Sequence, residues 1–166
     1  MSFGSGPLLE SMPLSFYQQQ YSRAAMYISH ANFIKFYLRD RAKHDLKIIE
    51  FGGSNGFISS LFGAANYTVA ENFPNVDIHD LEAYRSNTYD CVVLDEVLEH
   101  VQRPWQAVNE IRRILKPGGC LLTSSPFMIA EHKVPRDYWR FTKDGLEVLL
   151  QEYGKVNSHS WGNASS

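Results

Sequence analysis

The chain has 166 residues, of which 44% are hydrophobic and 20% charged, an ordinary globular composition. With a formal net charge of -2, the chain lacks the excess of basic residues that binds a phosphate backbone, so a nucleic-acid partner is not expected. No apolar run is long enough to span a bilayer, and the opening residues lack the pattern of a secretory signal. Two cysteines, Cys91 and Cys120, are too few for a disulfide framework. These features predict a cytoplasmic protein without a membrane partner.

The first 45 residues are predicted to form an arm followed by a helical extension. Residues 1–15 are rich in Gly, Pro and Ser, which favours a loose arm. In residues 16–41, aromatic and apolar side chains recur at three- and four-residue steps, which predicts one or two helices. Two interpretations are open for these helices: packing on the core, or a lid over a ligand site. We treat residues 1–45 as arm and helical lid, and residues 46–166 as the main domain.

The main domain alternates short apolar runs with helical patterns. Strands are predicted at 47–51, 67–70, 76–78, 91–94, 120–123 and 155–159, and helices at 57–65, 104–115 and 143–153. Pro104 suits a first helical turn, the Lys-Pro-Gly-Gly run at 116–119 ends that helix, and Thr142 caps the last one. Alternating strands and helices indicate a parallel sheet with helices on both faces. Ligands bind at the carboxyl ends of such strands, so the residues after each strand are the candidates.

The first predicted strand leads into a glycine-rich loop, Gly52–Gly56. Glycines let a backbone turn sharply and approach a ligand closely, but the loop lacks the G-x-G-x-x-G dinucleotide pattern. Its G-x-S-x-G spelling permits a hydrolase nucleophile at Ser54, although that fold has several strands before its nucleophile. Glu50, beside the loop, can balance a cationic group.

Acidic residues follow the next three predicted strands. Glu71 lies about 20 residues beyond the loop, the spacing at which a carboxylate accepts hydrogen bonds from a ribose diol. Asp80 can receive an adenine amine. Alternatively, Glu71 is an exposed loop carboxylate and Asp80 is an aspartate that forms a turn. By spacing, Glu96, Glu99 and His100 share one helical face, where acids also favour the helix dipole.

Read together, these segments resemble the class I S-adenosylmethionine-dependent methyltransferases. The matching segments are IIEFGGSNG at 48–56, Glu71, YDCVVLDEVLEHV at 89–101, PWQAVNEIRRILKPGG at 104–119 and CLLTSSPF at 120–127. The type 11/23-like subset with an EVLEHV…LKPGG core is the most similar. Residues 132–142 also resemble a branch that carries H…P-x-D-Y-W-R-F-T. The resemblance covers residues 46–153.

The resemblance implies a Rossmann-like, doubly wound α/β fold. Its mostly parallel sheet has seven strands, the last antiparallel, and residues 46–166 would form the cofactor-binding domain. The sequence stops before the family's final hairpin, so it is either cut short or a minimal variant with an incomplete sheet edge; an open edge favours a homodimer.

The resemblance also implies S-adenosylmethionine as cofactor and S-adenosylhomocysteine as product. The residues implied to bind the cofactor are Glu50, Phe51, Gly52, Gly53, Ser54, Gly56, Glu71, Asn72, Asp80, Leu81, Asp95, Glu96 and Val97. Within this set, Glu71 would hold the ribose and Asp80 the adenine. Ser54 stands where the family has glycine, which would cost about 1 kcal/mol if that position needs a positive φ.

The branch resemblance favours a small-molecule or sugar-like acceptor, methylated on oxygen or nitrogen. His132 is the first candidate base, because an imidazole pKa of roughly 6.5 is useful near neutrality. Asp137 is the alternative base, unless it only pairs with Arg140 to hold the loop. The residues expected to bind the acceptor are Tyr138, Trp139, Arg140 and His100.

Other functions remain as alternatives. No metal site is expected, since the sequence has neither H-E-x-x-H nor a cysteine pair. The main alternative is a non-catalytic, methyltransferase-like binding or scaffold domain. A nicotinamide-dependent oxidoreductase is disfavoured by the missing G-x-G-x-x-G.

Overall fold

A computed structural model describes residues 21–38, 45–52, 57–62, 66–133 and 135–160. Its elements are α1 (Tyr21–Tyr37), β1 (Lys47–Phe51), α2 (Phe57–Phe62), β2 (Asn66–Val69), β3 (Tyr89–Asp95), α3 (Pro104–Ile114), β4 (Leu115–Ser124) and α4 (Lys143–Leu149), with 3-10 helices at Leu98–His100 and Gln151–Tyr153. Among these residues, none of the helices has the length and apolar character needed to cross a membrane.

The four strands form one sheet in the order β2-β1-β3-β4, and every neighbouring pair is parallel. All seven residues of β3 are buried, as expected for a central strand covered on both faces. The chain passes from β1 to β2 on one side and then returns to β3 on the other. The topological switch point, where ligands bind in such sheets, therefore lies between β1 and β3. The predicted mostly parallel α/β fold is confirmed.

Side chains of β1 alternate between two hydrophobic clusters, one on each face of the sheet. Ile49 belongs to the cluster that includes α3 residues, whereas Ile48 belongs to the cluster that includes α1 residues. Helix α1 contributes Met26, Tyr27 and Ile34 to the second cluster, so it packs on the core. The lid interpretation of residues 1–45 stays a prediction, and positions 1–20 and 39–44 lie outside the described residues.

The prediction of strands at 76–78 and 155–159 is wrong. Residues 76–78 lie in turns, where the Asn72 carbonyl accepts the amide of Val76 at 3.4 Å. Residues 155–159 have no strand structure. Val76 and Val156 instead pack as partly buried side chains against the α3-side core. A few apolar residues can therefore be buried from a turn without joining a ladder, and the described residues hold four strands rather than the seven implied by the resemblance.

The junction between α3 and β4 has no connecting loop. Helix α3 starts at Pro104, as predicted, and ends at Ile114, one residue before the predicted end. Strand β4 begins at Leu115, so the Lys-Pro-Gly-Gly run ends the helix but belongs to the strand. Tyr89 pairs with Leu115 and Cys91 pairs with Cys120, which leaves residues 116–119 opposite a single residue of β3 as a bulge.

The predicted cap of the last helix is confirmed. The Thr142 side-chain oxygen accepts the Gly145 amide at 3.0 Å, and this bond satisfies a donor that the first turn leaves open. Helix α4 ends at Leu149, earlier than predicted, and a 3-10 turn follows at Gln151–Tyr153.

Candidate active site

A close approach between two loops marks the switch point. Gly52, directly after β1, has φ +76°, a conformation that L side chains rarely adopt. A Cβ atom added at Gly52 would lie 2.3 Å from Val97 Cγ2, well inside van der Waals contact. Glycine is therefore required by both backbone conformation and space. The other predicted loop residues, Gly53, Ser54 and Gly56, lie outside the described residues.

The carboxylate of Glu50 is fully buried near the carboxyl end of β1. Tyr67 of β2 donates its hydroxyl hydrogen to Glu50 Oε2 at 2.7 Å. Burial, together with this bond, raises the pKa of Tyr67 well above its usual range, so the phenol stays a neutral donor. Sequence reasoning missed Tyr67. Phe51 packs in the core with its ring edge-on to Tyr84, so its side chain has a structural role.

Asp95, at the end of β3, is buried and joined to two neighbouring elements. Ser124 of β4 donates its hydroxyl to Asp95 Oδ1 at 2.5 Å. His30 of α1 places Nε2 3.9 Å from the same oxygen. Burial lowers the pKa of His30 to about 4, so this histidine is neutral at pH 7. Neither Ser124 nor His30 was predicted as a site residue: Ser124 lies in the matching CLLTSSPF segment but was given no role, and His30 lies in no motif.

Glu96 turns the chain away from the sheet directly after Asp95. Its φ is 53°, a left-handed value that is uncommon for a residue other than glycine. Its amide donates to the Ser124 side-chain oxygen at 3.0 Å and to the Ser124 carbonyl at 3.2 Å. Backbone strain of this kind clusters at functional sites. The helical face expected to include Glu96 is absent, since the 3-10 helix covers only Leu98–His100.

The residues predicted to hold ribose and adenine differ in their surroundings. Glu71 and Asn72 are exposed directly beyond β2, where a ligand can reach them. Asp80 Oδ1 accepts the Glu82 amide at 3.2 Å, so Asp80 forms the turn that was its alternative interpretation. Leu81 is fully buried in the α3-side core, and its backbone amide and carbonyl are already bonded to Glu110 and Arg113.

A cluster of one carboxylate and two imidazoles follows the ends of β3 and β4. Glu99, which is fully buried, places Oε1 3.7 Å from His100 Nε2 and 3.9 Å from His132 Nε2. The two imidazole rings meet nearly edge to face, with centroids 4.8 Å apart. Burial is the main cause that raises the pKa of Glu99 to about 7, and the nearby charge of Glu96 adds to it.

The segment after β4 is held against the 3-10 helix by several hydrogen bonds. Tyr138 donates its amide to the Glu99 carbonyl at 2.7 Å, and Trp139 Nε1 donates to the Val101 carbonyl at 2.8 Å. His100 Nδ1 is hydrogen-bonded to the Arg136 carbonyl. These contacts bring His132 beside Glu99. Sequence reasoning selected both histidines but left Glu99 out of the site, although a buried acid beside a histidine was the available signal.

Asp137 pairs with Arg140, as one interpretation of the sequence expected. The guanidinium donates to both carboxylate oxygens, at 2.5 and 2.6 Å, and holds the pKa of Asp137 well below its usual range. Asp137 Oδ2 also accepts the His132 amide at 2.8 Å and lies 3.3 Å from His132 Nδ1. This geometry makes Asp137 a weak base and orients His132.

Of the aromatic residues in this segment, Trp139 packs against other rings and Tyr138 is exposed. The Trp139 ring lies edge-on to Trp105 and stacked on Phe141, with centroid distances of 6.2 and 6.1 Å. Tyr138 is 45% exposed and is therefore available to an acceptor. Trp139 stabilises the loop, and its predicted contact with acceptor stays a prediction.

Comparison with known proteins agrees with this arrangement. Residues 54–123 match the family model described as a methyltransferase domain. The solved CurJ carbon methyltransferase has a similar fold, with a TM-score of 0.60 at 14% identity over 86% of this chain and 51% of that one. The chain therefore has the fold of the class I methyltransferases, and part of it matches the methyltransferase family model. A SAM-dependent methyltransferase from Archaeoglobus fulgidus is similar to this domain at a TM-score of 0.56 and 13% identity, over 86% of this chain and 74% of that one.

A curated relative adds sequence similarity to the shared fold. The chain is 32% identical over 89 residues to a ubiquinone biosynthesis O-methyltransferase of Alkalilimnicola ehrlichii, covering 54% of this chain and 33% of that protein. The chain spans about half or less of the length of the first curated relatives it matches.

S-adenosylmethionine is the cofactor of this class. The described residues fit it at the switch point through their charge. The close packing of Gly52 against Val97 brings the loops after β1 and β3 together there. The buried carboxylates of Glu50 and Asp95 provide negative charge near the same edge of the sheet, which suits a cationic ligand.

Proposed function

We propose that this methyltransferase domain transfers a methyl group from S-adenosylmethionine to an oxygen or nitrogen of a small-molecule or sugar-like acceptor. The observation that carries the proposal is the position of the Glu99, His100 and His132 cluster. It follows the ends of β3 and β4, beside the switch point marked by Gly52 and Val97. When bound, the cofactor supplies an activated methyl group on a sulfonium, so the chain has to orient the acceptor and handle a proton.

In a chain that holds no metal ion, His132 is the base that removes the proton from the methyl acceptor. Its Nδ1 faces the ionised carboxylate of Asp137 at 3.3 Å, which leaves Nε2 as the basic nitrogen. The His132 side chain is 37% exposed, so a small molecule can reach it from solvent. Asp137, the other predicted base, acts here as a positioning residue because Arg140 holds both of its oxygens.

An acceptor of modest size suits the surroundings of the cluster. Tyr138 is half-exposed, and Phe127 is 54% exposed just after β4, so both offer apolar surface on the segment that carries His132. The net charge of -2 gives no support for a nucleic-acid acceptor. The named activity of the Alkalilimnicola relative supports oxygen as the methylated atom.

Cofactor binding is the first test. We expect S-adenosylhomocysteine to bind the purified chain in calorimetry with micromolar affinity, and NAD not to bind. Glu71→Ala should abolish binding, because the proposed ribose contact is lost, whereas Glu152→Ala at another exposed position should bind normally. Binding would justify a screen for transfer of labelled methyl groups to small-molecule acceptors. A folded chain that does not bind would contradict the enzyme proposal and favour the scaffold alternative.

A further inference from the structure

We propose that Glu99, His100 and His132 bind a divalent first-row metal cation such as Zn²⁺. Each residue offers one ligand atom, and these atoms lie within 4.8 Å of one another. One carboxylate and two imidazoles form a donor set that suits such cations. The site does not depend on the methyl-transfer proposal, because it rests on contacts among these side chains alone.

The orientation of His100 suits metal binding. The Arg136 carbonyl can only accept a hydrogen bond, so His100 Nδ1 must carry the proton. The neutral imidazole therefore presents the lone pair of Nε2 toward Glu99 Oε1, 3.7 Å away. Backbone carbonyls commonly orient metal-binding histidines in this way.

His132 faces a negative charge instead, since within the described residues its Nδ1 makes no hydrogen bond. Its Nδ1 lies 3.3 Å from Asp137 Oδ2, and this carboxylate is held by Arg140. A proton on Nδ1 is favoured by that negative charge, which leaves Nε2 to face Glu99 Oε1 at 3.9 Å. Two histidines from separate segments thus direct their unprotonated nitrogens at one carboxylate oxygen.

The state of Glu99 gives an independent reason to expect a cation. Its side chain is fully buried, and within the described part of the chain Oε1 has no hydrogen-bond partner. A buried carboxylate oxygen without a partner is costly, and a cation would offset that cost. Burial also raises the pKa of Glu99 to about 7, as expected of a carboxylate that lacks a positive partner.

The spacing needs only a small adjustment to close around an ion. Ligand-to-zinc distances of about 2.0–2.2 Å place donor atoms roughly 3–3.5 Å apart, closer than the 3.7 and 3.9 Å from Glu99 to the two histidines and than the 4.8 Å within which all three ligand atoms lie. His132 lies on an irregular segment after β4, where a shift of this size disturbs no helix or strand. The prediction from sequence that no metal set exists is thereby revised, because these ligands do not form a contiguous motif.

A bound cation would change how the acceptor is activated. Three protein ligands leave further coordination positions open to water or to an acceptor oxygen. The cation lowers the pKa of a hydroxyl that it binds, and the released proton passes to bulk water. In this state His132 acts as a metal ligand and not as the base.

The test uses the full chain freed of metal by chelation, with Zn²⁺ and Co²⁺ as probes. We expect one cation per chain in calorimetry and a visible absorption spectrum for the Co²⁺ form. His132→Asn and Glu99→Gln should each weaken binding by more than the roughly tenfold to hundredfold that loss of an outer-shell partner costs, and should change the Co²⁺ spectrum. His79→Asn is the matched control, since His79 pairs with Asp77 elsewhere, and it should bind as the native chain does.

The outcomes separate this proposal from the methyl-transfer proposal. Unchanged Zn²⁺ affinity in His132→Asn, whose half-exposed side chain is replaceable without loss of the fold, would overturn the cation site. Failure of the folded native chain to bind either probe would do the same. S-adenosylhomocysteine binding, measured on the same metal-free sample, tests the other proposal separately.

Discussion

At the scale of single residues, Gly52 and Val97 determine how closely the loops after β1 and β3 approach. The 2.3 Å distance from a built Cβ to Val97 Cγ2 excludes any side chain at Gly52 unless one loop moves. The positive φ adds a backbone penalty that is separate from the clash. The two effects can be measured separately.

We predict that Gly52→Ala lowers the free energy of unfolding by about 2 kcal/mol, from the clash and the backbone strain together. Adding Val97→Ala removes the clashing methyl group, so the double variant should recover part of this loss relative to Val97→Ala alone. Urea denaturation of the three variants and the native chain gives these differences. Equal stability of Gly52→Ala and the native chain would contradict the geometry.

A second prediction concerns His30. Burial lowers its folded-state pKa to about 4, whereas an unfolded histidine titrates near 6.5. As pH falls from 6.5 to 4, the unfolded chain binds a proton that the folded chain does not, so folding loses up to about 3 kcal/mol. The contribution is fully present above pH 6.5.

The variant His30→Gln removes this titration. Its free energy of unfolding should fall less than that of the native chain between pH 6.5 and 4, by about 3 kcal/mol. His159→Gln alters an exposed histidine and should follow the native curve. Parallel curves for His30→Gln and the native chain would show that His30 is not buried in the neutral form.

At the scale of elements, the connection between β2 and β3 depends on helix α3 for its shape. Residues 70–88 contain no strand. Arg113 of α3 donates to the Tyr84 carbonyl at 2.9 Å and to the Leu81 carbonyl at 2.8 Å, while Glu110 holds its guanidinium. One side chain thus supplies hydrogen bonds that a strand would have obtained from its neighbour.

We predict that Arg113→Met lowers the free energy of unfolding by about 1–3 kcal/mol, because two carbonyls lose a charged donor. Arg112→Met is the matched control on the same helix, where the side chain is exposed, and it should change stability by about 0.5 kcal/mol or less. Thermal or urea unfolding measures both. Similar losses in the two variants would show that helix propensity, and not the connection, is responsible.

The elements also show why some boundaries were predictable and others were not. Thr142 and Pro104 act on their own helices, so their roles follow from local sequence. The start of β4 depends on pairing with β3, which continues past a bulge at 116–119. Local glycines indicated a loop there, but sheet pairing prevailed over that local preference.

At the scale of the whole molecule, the parallel sheet gathers the ends of β1, β3 and β4 at one edge. This arrangement follows from short apolar strands alternating with helices, so the fold and the general position of the site were predictable. Individual side-chain contacts were harder to predict from the sequence. Tyr67 and His30 reach Glu50 and Asp95 across element boundaries that no periodic pattern reveals. Homodimerisation and cytoplasmic location stay predictions.

The sequence by itself determined the parallel α/β class and the glycine turn after β1, and it selected His100 and His132 as candidate site residues. Each depends on residue type and local spacing. Only the tertiary structure placed His132 against the buried Glu99, paired Asp137 with Arg140, and removed the predicted strands at 76–78 and 155–159. The physical reason is that burial and charge pairing depend on neighbours distant in the chain, whose approach is determined by packing.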